Sequence, residues 1–432
     1  MDKQASTLKT KHKPKAQNLT PNEKAIIESI PVPLLRSLFT RIWKVKIRLQ
    51  FTGWLQYIPP ALVSLLALLL AGIARWLGSR LIALVFALVG GFLFAWVVFD
   101  LVTVKFKLRL PEPLPRRNDD LGLFDLMRAR HSCRSFQTRK LTSPDFQELM
   151  DSVQRHSAQP GIGNSPVRFE YISAPLTVWP TVNATEFLVA IAPLEYDRLA
   201  VIDVGYRLQK IVIDATRMGL GTCWIGPGAD HQSIKQRLGD RFDPLKDHII
   251  CVCAVGYQSR YIPLFIRIFT AQFGRRLPLS KLFFTDPEFK VPLDPESPPF
   301  DRFGRNFEIC QWAPSSYNGQ TTRCVAVMEE SGKDQEPRLE RFDFYAVTAS
   351  RYYAPVALGI WCANWELGCQ AQQIQGRFAV LSTVEREIHG RQDNTQLPRY
   401  DVSWVPKLRA TDQLRLAQDN PAGSGEGIDS DQ

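Results

Sequence analysis

Two long, uncharged apolar runs near the N-terminus constrain this chain more than any other feature of its sequence. Residues 53–74 read GWLQYIPPALVSLLALLLAGIA, and residues 81–99 read LIALVFALVGGFLFAWVVF. At about 1.5 Å of rise per residue, each run is roughly long enough as a helix to cross a hydrocarbon core of about 30 Å. Only residues 75–80 separate the two runs, with Gly78 and Ser79 in the turn. The sequence therefore predicts an antiparallel, two-helix transmembrane hairpin within residues 51–104.

The basic residues around this hairpin indicate its orientation. They crowd the two outer flanks, whereas the turn holds only Arg75 and Arg80; the flanking residues are Arg41, Lys44, Lys46, Arg48, Lys105, Lys107, Arg109, Arg116 and Arg117. Lys and Arg accumulate on the cytoplasmic side of membrane segments, so we expect the soluble part, both termini and a basic segment over residues 1–50 to be cytoplasmic. Two alternatives are a re-entrant hairpin, since Pro59 and Pro60 shorten the first run, and a buried helical hairpin of a soluble protein.

The net charge of +10 belongs to the membrane part of the chain. Residues 1–117 hold 18 Lys and Arg against 5 Asp and Glu, and residues 118–432 hold 35 against 38. A basic flank beside apolar runs is typical of a membrane segment. We therefore expect membrane lipid, and no nucleic acid, among the partners of this protein.

The cysteines indicate structural thiols. They are Cys133, Cys223, Cys251, Cys253, Cys310, Cys324, Cys362 and Cys369, and no C-x-x-C pair occurs among them. Six of them neighbour strand-like or apolar runs, which is typical of buried free thiols in a reducing compartment. We expect neither disulfides nor a metal site.

The soluble part alternates helix-like and strand-like segments, which indicates an α+β or α/β class. Apolar spacing predicts a helix over residues 204–218 that stops at Gly219, with strands over residues 187–192 and 249–255. Five prolines in residues 283–303 predict a linker between two halves, residues 118–282 and 304–410. The polar tail, residues 411–432, is expected to be disordered.

The two halves share an order of local features. Each has an Asn-containing turn before a strand, at residues 163–168 and 317–323, and each later has a helix closed by Leu-Gly, at residues 220–222 and 367–369. This order indicates a degenerate internal duplication. The alternative is a chance agreement of common turn residues.

Four motifs of the soluble part resemble the FMN-dependent nitroreductase family. Residues 130–136 (RHSCRSF) resemble its R-[RH]-S-x-[RK]-x-F element, and residues 313–320 (APSSYNGQ) resemble its A-P-S-S-x-N-x-Q turn. Residues 219–226 (GLGTCWIG) are similar to its G-L-G-[TS]-x-W-I-G stretch, and residues 275–279 (RRLPL) to its R-x-P-L element. The paired halves resemble two-lobed members in which one chain imitates the usual homodimer.

The resemblance implies an α+β, nitroreductase-like FMN-binding fold arranged as an internal pseudo-dimer. It also implies an oxidoreductase with FMN as cofactor, NAD(P)H as electron donor and a small acceptor of the nitroaromatic or quinone class. Electrons would pass through the cofactor, so no catalytic nucleophile is implied. The implied cofactor-binding residues are Arg130, His131, Ser132, Arg134, Ile225, Gly226, Arg275, Arg276, Pro314, Ser315, Ser316, Asn318 and Gln320.

Departures from the family pattern predict one FMN site per chain. Residues 158–164 (AQPGIGN) lack the serines and the glutamine of the turn, and no R-x-S element occurs near residues 301–306. Each half thus keeps one of two complementary motifs, and one complete site can be assembled between them without a second chain. Alternative functions are a non-enzymatic flavin-binding or membrane scaffold protein with a degenerate fold, and a specialised flavin enzyme such as a dehalogenase or dehydrogenase.

Overall fold

The computed structural model of the protein describes residues 27–176, 178–226, 229–329, 338–386 and 397–407. Within these residues, a helical N-terminal part precedes two β-sheets that carry helices. The tail, residues 411–432, for which we expect disorder, lies outside the described residues, and so do residues 1–26 of the basic segment.

Three long helices are described in the N-terminal part, which the structure describes from residue 27 onward. They are α1 (Pro33–Thr52), α2 (Ile58–Trp76) and α3 (Arg80–Asp100), which continues as a π-helical turn over Leu101–Lys105. Pro59 and Pro60 occupy the first turn of α2. A proline is tolerated there because its missing N–H would have no partner within the helix. The two prolines therefore begin the helix and do not break it.

Helices α2 and α3 pack against each other as a hairpin. They approach closely at Gly90, where the Ser64 hydroxyl donates to the Gly90 carbonyl oxygen at 2.8 Å and an added Cβ would overlap Leu68. Among the described residues, α2 and the longer helix Arg80–Lys105 are the two that are long and apolar enough to cross a membrane, by length and composition. The structure thus places helices on both predicted apolar runs.

The first sheet has four antiparallel strands. They are β1 (Arg168–Ser173), β2 (Glu186–Pro193), β3 (Gly221–Ile225) and β4 (Asp247–Gly256), in the order β1-β2-β4-β3. The helices of this half are α4 (Leu123–Ala129), α5 (Ser143–Ala158), α6 (Arg198–Arg217) and α7 (His231–Leu238). The predicted helix and strands are confirmed as α6, β2 and β4. Gly219 follows α6 with a φ of 77°, in the left-handed region that favours glycine.

The second sheet has five strands. They are β5 (Phe283–Phe284), β6 (Thr322–Met328), β7 (Leu339–Ala346), β8 (Gly376–Ala379) and β9 (Arg399–Pro406), in the order β5-β6-β7-β9-β8. Helix α8 (Leu264–Ala271) precedes this sheet and packs against the hairpin, and the helices of the second half are α9 (Arg305–Gln311) and α10 (Tyr353–Ala371). Strands β6-β7-β9-β8 repeat the order of the first sheet, and α6 and α10 each join the second strand of a set to the third. The fold is mixed α+β.

Residues 283–303 lie between the two halves in the sequence, where their prolines predict a linker, and in the structure they pack against the second half. Phe283 and Phe284 form β5, which pairs in parallel with β6. Phe300 and Phe303 are buried, and the Phe303 ring centroid lies 5.0 Å from that of Phe342. Large apolar side chains between the prolines anchor the segment, because burying one phenylalanine side chain adds about 1.5–3 kcal/mol to the stability of the folded state.

Helices α6 and α10 touch through two glycines. A Cβ added to either Gly205 or Gly359 would overlap a backbone carbonyl oxygen of the opposite helix. A buried ion pair supports the same contact, since Arg198 at the start of α6 donates from Nη2 to Asp401 Oδ2 on β9 at 2.7 Å. The missing side chains let the backbones meet, and this contact holds the two halves together.

We predict that Gly359→Ala destabilises the protein. The new methyl group would overlap the backbone of α6, which cannot rotate aside, and overpacking of this kind costs about 1–3 kcal/mol. Thermal unfolding of the full chain in detergent should show a lower midpoint. The matched control is Gly91→Ala in α3, where an added Cβ meets no atom within 4 Å. Equal midpoints for the two variants would contradict the close contact.

Candidate functional site

The loop after α4 carries the first motif and runs beside β3. Ser132 forms a parallel bridge with Thr222, and the Cys133 N–H donates to the Thr222 carbonyl oxygen at 2.8 Å. The Arg134 guanidinium donates from Nη1 to Cys223 Sγ at 3.3 Å. The structure therefore brings the RHSCRSF motif against the GLGTCWIG motif.

Arg130 is the most deeply buried arginine of this loop. Only 8% of the residue is exposed, and neither Nε nor Nη1 makes a hydrogen bond to any residue that the structure describes. Burial, reinforced by the positive charges of Arg276 and Arg134, lowers the pKa of Arg130 to about 10. A buried guanidinium with unpaired N–H groups is costly unless an anion accompanies it. The geometry therefore suits an anionic ligand.

Arg276 reaches the same place from the segment that follows α8. Its Nη1 donates to Asn318 Oδ1 at 2.7 Å, and Asn318 Nδ2 in turn donates to the Arg275 carbonyl oxygen at 2.6 Å. Gln320 Oε1 accepts from the Leu277 N–H at 2.8 Å. The amides of Asn318 and Gln320 thus hold residues 275–277 against the APSSYNGQ turn.

Two arginines lie on the indole ring of Trp312. The guanidinium carbon is 3.6 Å from the ring centroid for Arg128 and 5.3 Å for Arg276. Burial lowers the pKa of Arg276, as does the charge of Arg128, and Arg276 Nε is buried without a partner among the described residues. We refer to Arg128, Arg130, Arg134 and Arg276 as the arginine cluster. Arg128 is paired with Glu308 at 3.6 Å. The like charges of the cluster repel one another, so a shared anion would stabilise Arg130 and Arg276 above all.

The APSSYNGQ turn faces the end of β3 across a tyrosine. The Ser315 hydroxyl accepts from the Gln320 N–H at 2.9 Å, and the turn continues as a short 3₁₀ helix over Ser316–Asn318. A Cβ added to Gly226 would lie 3.1 Å from the Tyr353 ring. Burial raises the pKa of Tyr353, and the neighbouring Tyr317 raises it further. Tyr353 therefore lies between the third motif and this turn.

Several predicted site residues make no contact with the arginine cluster through their side chains. His131 Nε2 lies 3.1 Å from Gln258 Oε1, on an exposed side chain, so the structure shows no contact of His131 with the arginine cluster. Arg275 is exposed, and its carbonyl oxygen makes the contact with the turn. Ile225 is buried among apolar residues of the first sheet, and Pro314 lines a small cavity next to the APSSYNGQ turn.

Sequence reasoning did not identify three residues of this region: Arg128, Trp312 and Tyr353. Arg128 stands two residues before the first motif, and Trp312 stands directly before the APSSYNGQ turn. Their closeness to the motifs was the only signal for them. Tyr353 begins α10 and lies in none of the motifs, so only the fold brings it to the end of β3.

A larger groove lies elsewhere and contains none of the motif residues. Its volume is about 870 Å³, and it is bordered by the end of α10 and by β8 and β9, including Glu366 and Arg377. Across the described ranges, no group of three or more His, Cys, Asp or Glu is placed to hold a metal ion. All eight cysteines are free and buried, as the sequence predicts. The arginine cluster therefore remains the candidate site.

We predict that Arg130→Met does not lower the unfolding midpoint of the ligand-free protein, because it removes a buried charge that has no partner. The same change should greatly reduce the rise in midpoint that inorganic phosphate produces, since phosphate would lose a charge-assisted partner. Thermal unfolding with and without phosphate measures both effects.

The matched control is Arg341→Met, which also removes a buried arginine. Arg341 Nε lies 3.0 Å from Asp343 Oδ1. This variant leaves the buried Asp343 carboxylate without that ion pair, so its free energy of unfolding should fall by about 3–5 kcal/mol. Its response to phosphate should persist. A full phosphate response in Arg130→Met would remove Arg130 from the site.

Comparison with known proteins agrees with the motifs. Residues 122–333 match the family model described as "Putative TM nitroreductase". Among curated proteins, none matches this chain. Similar solved structures are a "putative nitroreductase" from Thermotoga maritima (16% identity, 69% of this chain, 97% of that chain, TM-score 0.38) and an FMN-bound nitroreductase from Bacteroides fragilis (14%, 32%, 89%, 0.27). All four motifs of this chain lie within the residues that match the nitroreductase family model.

Proposed function

We propose that the chain is an FMN-dependent oxidoreductase anchored to a membrane by the α2–α3 hairpin. The observation that carries this proposal is the arginine cluster, whose buried N–H groups suit a phosphate dianion. The match of residues 122–333 to the nitroreductase family model supports FMN as the molecule that supplies this phosphate.

The phosphate of FMN would be held by arginines that are distant in sequence. Arg130 and Arg134 follow α4, and Arg276 precedes the second sheet. Guanidinium groups bind phosphate oxygens in a bidentate manner, and Ser132 on the same loop offers a neutral hydroxyl donor. In this proposal a phosphate would pair the N–H groups that Arg130 leaves unpaired.

The flavin ring would lie between the end of β3 and the APSSYNGQ turn. An isoalloxazine presents carbonyl oxygens and ring nitrogens, which neutral hydroxyl and N–H donors suit. Because the amides of Asn318 and Gln320 are engaged with residues 275–277, we assign them the role of fixing the turn. Ser316 and the backbone near Gly226 remain to contact the ring.

We further propose a single flavin site in each chain, arranged as an internal pseudo-dimer. The repeated strand order of the two sheets supports this arrangement. At the position where a second flavin would bind, the Asp203 carboxylate accepts hydrogen bonds from the N–H groups of Ile162, Gly163 and Ser165. These residues belong to the turn that contains Asn164. A carboxylate that occupies these donors leaves fewer of them for a flavin ring, and no R-x-S element occurs near residues 301–306 to hold a phosphate, so the second position does not suit FMN.

When bound, FMN would accept a hydride from NAD(P)H and pass electrons to a small acceptor of the nitroaromatic or quinone class. The residues of this chain would bind and orient the cofactor and supply no nucleophile. We also propose that the hairpin spans its membrane with both termini on the cytoplasmic side, because basic residues flank both outer ends. Cytoplasmic NAD(P)H could then reach the site.

The test of this function is a titration of the purified full chain with NADH and NADPH. We expect the oxidised-flavin absorbance to bleach on addition of the donor and to return when an acceptor is added. A protein that retains flavin but does not bleach would instead support the alternative of a non-enzymatic flavin-binding protein.

We predict one FMN per chain. Flavin released by denaturing the purified chain should equal the amount of protein, in a particle that holds one chain in detergent. Each lost charge-assisted hydrogen bond costs about 1.5–3 kcal/mol, so a position that lacks the arginines should not be occupied. Two flavins per chain, or flavin found only with a dimeric fraction, would contradict the single-chain site.

A further inference from the structure

Helix α8 connects the hairpin to the candidate site. At its start, Asp100 Oδ2 at the end of α3 accepts from the Leu264 N–H at 2.8 Å, and α8 contacts both α2 and α3. Ile266 is fully buried and packs with Val104 and Val182. The first turn of α8 is therefore fixed to the open end of the hairpin.

One side of α8 carries aromatic rings. Phe265 and Phe269 have ring centroids 6.0 Å apart, and both lie near Trp179, at 6.2 and 6.3 Å. Phe269 also contacts Phe273, at 5.4 Å. Ile268, on the same helix, is 64% exposed. Phe265 and Phe269 are half-buried, and Arg267, next to Ile268, is exposed. A short helix that combines an exposed isoleucine, aromatic rings and a cation beside the hairpin suits the boundary between lipid and water.

Other residues at this end of the hairpin also suit the membrane boundary. Trp54 and Tyr57 form an edge-to-face pair at 6.2 Å, and the ammonium group of Lys105 lies 4.7 Å from the Trp54 ring centroid. Tryptophan, tyrosine and lysine are common where a membrane segment meets water. Tyr261, which precedes α8, packs on Phe99 of α3 at 6.2 Å.

Helix α1 adds a basic amphipathic element to the same end. Its exposed apolar residues are Leu34, Leu35, Leu38, Phe39, Ile42 and Val45, with exposures between 42% and 79%. At helical spacing of 100° per residue these side chains share one half of the helix surface, with Lys46 among them, and the other basic residues, Arg36, Arg41, Lys44 and Arg48, lie on the opposite half. A helix of this type lies in the plane of a membrane surface.

The chain continues from α8 directly into the candidate site. The 3₁₀ turn Gln272–Gly274 contacts the turn Ser316–Asn318, and Arg276 of the arginine cluster follows two residues later. Eight α-helical and three 3₁₀ residues span about 18 Å. The candidate site therefore lies within about 20 Å of the hairpin, along the aromatic helix.

We infer that the electron acceptor is a membrane-dissolved, quinone-class molecule with an apolar tail, which approaches the site along α8. This inference rests on the proposed function and narrows its acceptor. NAD(P)H would supply a hydride and the medium a proton, and the quinone would take up two electrons and two protons to give the quinol and NAD(P)⁺. The exposed Ile268 and the half-buried aromatic rings of α8 lie between the lipid boundary and the site, and such an apolar path serves an acceptor dissolved in lipid. A water-soluble nitroaromatic has no need of it.

The first test measures where α8 lies and needs no activity. All eight native cysteines are buried, so a spin label on Ile268→Cys reports from one position in the full chain in nanodiscs. We expect this label to be relaxed by oxygen, which concentrates in lipid, and shielded from a water-soluble nickel complex. The control is Leu245→Cys, at an 82% exposed residue of the first half, which should show the reverse. A label at position 268 that behaves like the one at 245 would overturn the inference.

The second test measures acceptor preference with a charge introduced on α8. In nanodiscs that contain a long-tailed isoprenoid benzoquinone, Ile268→Glu should lower kcat/KM for that quinone at least about tenfold, which corresponds to about 1.4 kcal/mol. Its flavin content and its reduction of the tail-less benzoquinone should stay within about twofold of the unsubstituted protein. Leu245→Glu should change none of these.

The outcomes separate the inference from the function that it rests on. An equal fall in kcat/KM for the tailed and the tail-less quinone, or no fall for the tailed one, would overturn the membrane route. The proposed oxidoreductase function would remain. Failure of NAD(P)H to bleach the flavin with any acceptor would overturn the proposed function, and the inference with it.

Discussion

The contact between α6 and α10 is the constraint on which the rest of the soluble part depends. Neither helix has a side chain at its point of closest approach, so the two backbones meet at Gly205 and Gly359 and fix the distance between the sheets. That distance sets where the loop after α4 stands relative to the APSSYNGQ turn. Arg130 and Arg276, 146 positions apart in the sequence, become electrostatic neighbours as a result.

The arginine cluster shows that the fold maintains an unfavourable arrangement of charge. Arg130 is buried beside Arg276 and Arg134, and among the described residues its Nε and Nη1 have no hydrogen-bond partner. Selection for stability alone favours apolar side chains at such a position. An arrangement that costs stability and that an anion would relieve is typical of a binding site.

How far the sequence predicts this structure depends on the range over which each signal acts. The hairpin helices and α6 could be predicted, because apolar spacing is a local property. A short motif singles out Arg130 in the sequence, but its burial beside Arg276 depends on the fold. The packing of residues 283–303 could not, since Phe300 and Phe303 are buried by strands that are distant in sequence. The engagement of Asn318 with Arg276, and the position of Tyr353, likewise depend on segments that meet only in three dimensions.

The α6–α10 contact lies within one chain, and this changes how the site responds to dilution. Two halves on separate chains would meet at a rate set by their concentration, whereas a covalent connection keeps the effective concentration of one half near the other high and constant. The packed segment over residues 283–303 strengthens this effect by restricting the relative motion of the halves. With the membrane anchor and the single-chain site that we propose, a membrane that holds only a few copies of this protein would contain the same fraction of assembled sites as one that holds many.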